Sequence, residues 1–128
     1  MLTDSMKRIL LAEDDRSLSR SMDTWLTLEG FQVVTVYNGE EALVKLTQQK
    51  YDLLITDIAM PRLNGVDLIA KIRNMRPGLP IMVVSGNINT SILANLQEMK
   101  VRHILPKPIK PNEFRRMIND LFPDQFYI

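Results

Sequence analysis

Ile9-Leu10-Leu11-Ala12-Glu13-Asp14-Asp15 sets four apolar residues directly against three acids. A continuous apolar run this short suits a strand covered on both faces. Downstream, Leu18, Met22, Trp25 and Leu26 fall at helical spacing, and Gly30 after Glu29 suits a helix stop. Phe31 to Val36 reads as a second strand. Asn38-Gly39-Glu40-Glu41 has the form of an N-cap with an acid at the third helical position, and Ala42, Leu43 and Leu46 give that helix its apolar face.

The same alternation continues to the end. Leu53-Leu54-Ile55 leads to Asp57 as a third strand. Asn64 is placed to cap a helix whose Val66, Ile69, Ile72 and Met75 face inward, and Pro77-Gly78 stops it. Pro80 to Val84 is a fourth apolar run ending at Ser85. Ile88, Ile92, Leu96 and Met99 form a weaker helical stripe, and Arg102 to Leu105 is a short fifth strand. Pro111 sits as the first residue of a last helix with Phe114, Met117, Ile118 and Leu121 on its core face. Five strand–helix pairs predict an α/β domain, a parallel sheet with helices on both faces. Right-handed crossovers bring the carboxyl ends of all five strands to one edge, where ligands of such sheets bind.

Composition narrows the class. A chain of 128 residues is one domain's length, and 45% apolar with 24% charged residues is ordinary for a soluble globular fold. No cysteine is present, which excludes a disulfide framework, thiolate zinc sites and a cysteine nucleophile. Sixteen basic against fifteen acidic residues give +1, so bulk charge predicts no direct contact with nucleic acid. No apolar run approaches the roughly 18 residues of a membrane span, and the start is a poor signal peptide. The expectation is a soluble cytoplasmic protein without a membrane partner.

At the shared edge the fold gathers Glu13, Asp14 and Asp15 from strand one, Asp57 from strand three, Ser85 from strand four and Lys107 from beyond strand five. Each alone has a plain reading: a helix cap, a turn former, a loop, a solvated lysine. Together they differ. Carboxylates converging on one crevice repel each other and need a compensating cation. An all-oxygen ligand set suits a hard ion such as Mg²⁺. A lysine and a hydroxyl opposite would hold an anionic group.

Four motifs carry a family resemblance: Ile9-Leu10-Leu11-Ala12-Glu13-Asp14-Asp15; Ile55-Thr56-Asp57-Ile58-Ala59-Met60-Pro61-Arg62-Leu63-Asn64-Gly65; Val83-Val84-Ser85-Gly86; and Leu105-Pro106-Lys107-Pro108-Ile109. In these the chain resembles a response-regulator receiver domain of two-component signalling, the chemotaxis-regulator-like family, from about Lys7 to Leu121. The resemblance implies a flavodoxin-like (βα)5 fold with strand order 2-1-3-4-5, and one receiver domain over residues 1–128 with its core at about 7–121. It implies Asp57 as phosphoacceptor and Mg²⁺ held by Asp14, by Glu13 mainly through water, by Asp57 and by the Ala59 carbonyl. Ser85 falls at the switch hydroxyl and Lys107 at the phosphoryl-pairing lysine. Lys107-Pro108 is a candidate cis peptide, and Asp15 a helix cap or outer charge.

The implied partners are a sensor histidine kinase or phosphotransfer protein and a downstream output protein or domain. The face of helix four, strand five and helix five, near Asn95, Lys100, Arg102, His103 and Ile104, would contact partners or pair two copies. No output domain follows Leu121 within this chain, which is read as a stand-alone receiver or a piece of a longer regulator. The domain would be a switch with no separate substrate turnover. Two places depart from the family. Ile104 replaces the usual switch aromatic and is read as core. Lys100-Val101 stands where Gly-Ala is frequent, so the turn before strand five is expected to differ. Ala59 has no polar group to orient water, which predicts a long-lived phosphorylated form.

Other classes fit less well. A haloacid-dehalogenase phosphohydrolase needs two Asp spaced by two after strand one, unlike Glu13-Asp14-Asp15. A flavodoxin needs a Ser/Thr/Gly phosphate loop there. A degenerate receiver that acts only by binding partners is opposed by the complete acid, hydroxyl and lysine set.

Overall fold

The computed structural model describes residues 6–126. Five strands, β1 (Arg8–Ala12), β2 (Gln32–Val36), β3 (Leu53–Thr56), β4 (Ile81–Ser85) and β5 (His103–Pro106), alternate with five helices, α1 (Arg16–Leu28), α2 (Gly39–Gln48), α3 (Gly65–Met75), α4 (Thr90–Glu98) and α5 (Pro111–Leu121). A short 3-10 turn, Pro123–Phe126, follows. All pairings are parallel and the strand order is β2-β1-β3-β4-β5. This is the expected doubly wound sheet.

Strand side chains alternate between two cores. Leu10, Ala12, Leu54 and Val83 pack with Ala42 and Leu46 of α2, Leu68, Ile69 and Ile72 of α3 and Leu96 of α4. Ile9, Leu11, Leu53, Ile55, Met82 and Val84 pack with Met22 and Leu26 of α1 and Phe114 and Ile118 of α5. Burial on both faces explains the unbroken apolar runs in β1, β3 and β4. β2 lies at the edge and is only partly covered, which is why it admits Gln32 and Thr35.

The caps follow the sequence. Asn38 and Asn64 accept the backbone N–H groups of Glu41 and Asp67, and Pro111 opens α5. Glu41 reaches back to the Tyr37 N–H at 2.9 Å, closing the start of α2. One inward assignment is corrected. Met75 is 42% exposed, while Leu68 is fully buried. The apolar stripe of α3 advances 3.6 residues per turn, so its last inward place falls to Arg76. Arg76 is half-buried and donates to the Leu46 carbonyl at 2.6 Å.

Two helices end alike. At α1 the Gly30 N–H donates to Thr27 O and the Phe31 N–H to Leu26 O. At α4 the Lys100 N–H donates to Gln97 O and the Val101 N–H to Leu96 O. Both are Schellman closures, with a buried apolar pair (Leu26 and Phe31, Leu96 and Val101) over the turn. Gly30 has φ of 94° and Lys100 has φ of 63°. The expected irregularity before β5 is thus a lysine in a left-handed conformation that favours glycine. Ile104 is half-buried against the α2–α3–α4 core.

Candidate functional site

The carboxyl edge of the sheet is tied together by its backbone. Beyond the last residue of β1, Glu13 donates its N–H to Val36 O, and Asp57, just past β3, donates to Ala12 O. The Lys107 N–H donates to Ser85 O at 3.0 Å, linking the ends of β4 and β5. Gly65 lets α3 start directly against β3, since a Cβ there would overlap the Asp57 carbonyl oxygen. These contacts fix where each functional side chain emerges.

Asp57 is 4% exposed. Its Oδ1 accepts the N–H groups of Ile58 at 2.6 Å and Ala59 at 3.3 Å. Its Oδ2 accepts Lys107 Nζ at 2.6 Å, a contact across 50 residues of sequence. Lys107 Nζ also lies 2.9 Å from Glu13 Oε1 as an ion pair, without the alignment of a hydrogen bond. Glu13 is fully buried, and its Oε2 accepts the Asp15 N–H at 3.0 Å. Asp14 is exposed, yet one oxygen from each of Glu13, Asp14 and Asp57 lies within 4.8 Å of the others. Ser85 is buried, and its Oγ accepts the Asn87 N–H at 3.2 Å. Asp15 caps α1 by accepting the Leu18 N–H. The Lys107-Pro108 peptide is cis.

A family model for the response regulator receiver domain matches residues 9–119. The chain belongs to the response regulator receiver domain family. Regulator of RpoS from Escherichia coli is 36% identical over 122 residues, which is 94% of this chain and 36% of that protein. The chain therefore spans about a third of the length of this curated relative. The response regulator receiver protein CpdR of Brucella abortus is 32% identical over 116 residues, 91% of this chain and 94% of that one. Among solved structures, a CheY-like receiver domain protein from Methanospirillum hungatei superposes with a TM-score of 0.89 at 26% identity, covering 94% of this chain and 97% of that one.

The electrostatics of this receiver pocket are those of crowded acids sharing one ammonium. Burial pushes the Glu13 carboxyl above its ordinary range; the Asp15 N–H and Lys107 pull it down, and the Asp57 charge pushes it up again. For Lys107 burial works against the ammonium, but the hydrogen bond to Asp57, the close ion pair with Glu13 and the charges of both outweigh it, and its pKa is raised. One lysine faces three carboxylates. The excess negative charge, the all-oxygen donors and the buried Glu13 Oε1, which no aligned donor reaches, fit a hard divalent cation. The acidic pocket is thus compatible with Mg²⁺.

The backbone N–H groups of Ile58 and Ala59, which hold Asp57 Oδ1, went unread in the sequence. Their only signal was an Asp at the end of a strand, where the next peptides turn back on it. No helix is long and apolar enough to cross a membrane among the described residues.

Proposed function

We propose that residues 1–128 form one receiver domain in which Asp57 accepts a phosphoryl group from the phosphohistidine of a sensor kinase or phosphotransfer protein. The contact of Asp57 Oδ2 with Lys107 Nζ at 2.6 Å, with two further acids beside it, carries this reading. An Asp57 oxygen attacks phosphorus in line; the O–P bond forms as the P–N bond breaks, and its electron pair returns to the imidazole. Lys107 turns from Asp57 to the phosphoryl oxygens. The Ser85 Oγ accepts a bond from Asn87, so its hydroxyl hydrogen is free to donate to the same group. Glu13, Asp14, Asp57 and the Ala59 carbonyl would hold Mg²⁺, which, when bound, offsets the charge of the transferring group. Water hydrolyses the acyl phosphate and resets the switch. The output is a change of surface around α4, β5 and α5, read by a downstream protein or domain or by a second copy, and no separate substrate is turned over.

The test needs no cognate kinase. The native protein and Asp57→Ala are titrated with Mg²⁺ and beryllofluoride, a mimic of the carboxylate-bound phosphoryl group. Chemical shifts or the fluorescence of Trp25, whose ring packs tilted against Phe114 at 5.6 Å between centroids, report the change. A saturable, Mg²⁺-dependent response lost in the mutant is expected. No response would favour a receiver that acts through partner binding alone. Ala59 lies two residues past Asp57 and offers no side-chain group to orient water. Ala59→Asn is expected to lose phosphate several-fold faster in a hydrolysis time course, and a slower loss would remove the idea of a long-lived phosphorylated form.

A further inference from the structure

The opposite, amino-terminal end of the sheet carries a second organised set of charges. Two adjoining grooves share the wall Gly78-Leu79-Pro80. The smaller, of about 250 Å³, is bordered by Arg73, Lys100, Arg102 and His103; the larger, of about 660 Å³, by Lys50 and Arg76. Asp52 is the one carboxylate among the lining residues, and its Oδ2 is occupied by the Arg8 N–H at 2.8 Å.

The two arginines are held by main chain and not by acids. Arg73 donates to Met99 O and Leu79 O, each at 2.7 Å, and Arg76 to Leu46 O at 2.6 Å. Burial lowers the pKa of Arg73, as expected for a guanidinium with no carboxylate beside it. Lys100 holds its place at φ of 63°, where glycine would be less strained, and its side chain and that of Arg102 have no partner among the described residues. Among the described residues, Arg73 and Arg76 are therefore fixed cations without a carboxylate partner, Lys100 and Arg102 stand exposed at the rim, and Asp52 is the one opposing charge in the lining. The floor is not that of a phosphate cradle: exposed Pro80 and half-buried Leu121 and Phe122 contribute apolar surface.

We propose that this end of the domain binds an acidic polypeptide segment that also carries apolar side chains. Acid groups would meet Arg102, Lys100 and the fixed arginines, and apolar groups would lie along Pro80, Leu121 and Phe122. Fixed cations lose little freedom on binding, which favours affinity. The grooves are walled by α3 and residues 76–81, outside the α4–β5–α5 face, and share with it the rim Lys100–His103 and Leu121 at the end of α5.

The probe is a synthetic peptide of about four glutamates and two leucines, titrated into the full chain without Mg²⁺ or beryllofluoride while amide shifts are followed. Saturable shifts at Gly78, Leu79, Ile81 and residues 100–103 are expected, weakening with salt. Lys100→Glu combined with Arg102→Glu is expected to weaken binding by about tenfold or more, with the rest of the spectrum unchanged. Absence of saturable shifts, shifts confined elsewhere, or full affinity in the double variant would overturn the proposal. Equal affinity for an all-glutamate peptide would overturn its apolar part. Tighter binding of a single-stranded oligonucleotide of the same charge would overturn the polypeptide assignment in favour of a phosphate backbone.

Discussion

Helices α1 and α4 close with the same pair of hydrogen bonds, but α1 does so through Gly30 and α4 through Lys100. At α1 the left-handed residue costs little, because glycine has no Cβ to clash with its own backbone. At α4 the same turn carries about 1 kcal/mol of backbone strain. The α4 end tolerates this because it is braced from outside: Arg73 reaches from α3 to Met99 O at 2.7 Å and Lys100 O at 3.5 Å. The α1 end is held at its cap residue Glu29, by Gln125 Nε2 on the carbonyl at 3.0 Å and by Arg115 Nε on Oε1 at 2.7 Å, and neither of these contacts meets the left-handed residue itself on its carbonyl. A local rule is obeyed at one helix end, and at the other it is overridden by a contact from 26 residues away.

The largest way to break this contrast is Arg73→Ala. It leaves the Met99 and Leu79 carbonyls without their charged donor and is expected to cost about 2–4 kcal/mol in denaturant unfolding. Loss of protection should appear first at the amides of residues 99–101. A cost no larger than for a typical surface substitution would mean that the brace is incidental. Next, Gly30→Ala places a Cβ at φ of 94°, with Gln125 Nε2 2.9 Å away. The flexible amide yields, so the backbone dominates and the expected cost is about 1–2 kcal/mol. The smallest effect has the opposite sign. Lys100→Gly relieves the left-handed strain and is expected to stabilise the fold by about 1 kcal/mol, raising the melting temperature by about 4 °C. The same substitution should weaken the acidic peptide. Stabilisation with unchanged peptide affinity would show that the lysine serves neither folding nor binding.

Much of this molecule was legible in its sequence. The five apolar runs, the caps at Asn38 and Asn64 and the place of Pro111 depend on neighbouring residues, and each stands where read. The convergence of Glu13, Asp14, Asp57, Ser85 and Lys107 followed from strand order, because a parallel sheet brings all carboxyl ends to one edge. Features that failed to show were those set by distance or by main chain. Helical periodicity cannot say whether position 75 or 76 closes a stripe when 3.6 falls between them. Nor can it show that Arg73 and Arg76 serve carbonyls on other elements. The basic end is scattered from Lys50 to His103 and averages away in a net charge of +1.

Gly78, on the wall between the two basic grooves, differs from the glycines packed at the carboxyl edge: an added Cβ there meets nothing within 4 Å. The chain contains no cysteine. Gly78→Cys would therefore give a single thiol, open to labelling, at a position that overlooks the basic end and lies away from the acidic pocket. A dye attached there would report on one end of the domain while Trp25 reports on the packing of α1 against α5, so that the two signals can be read separately in one sample.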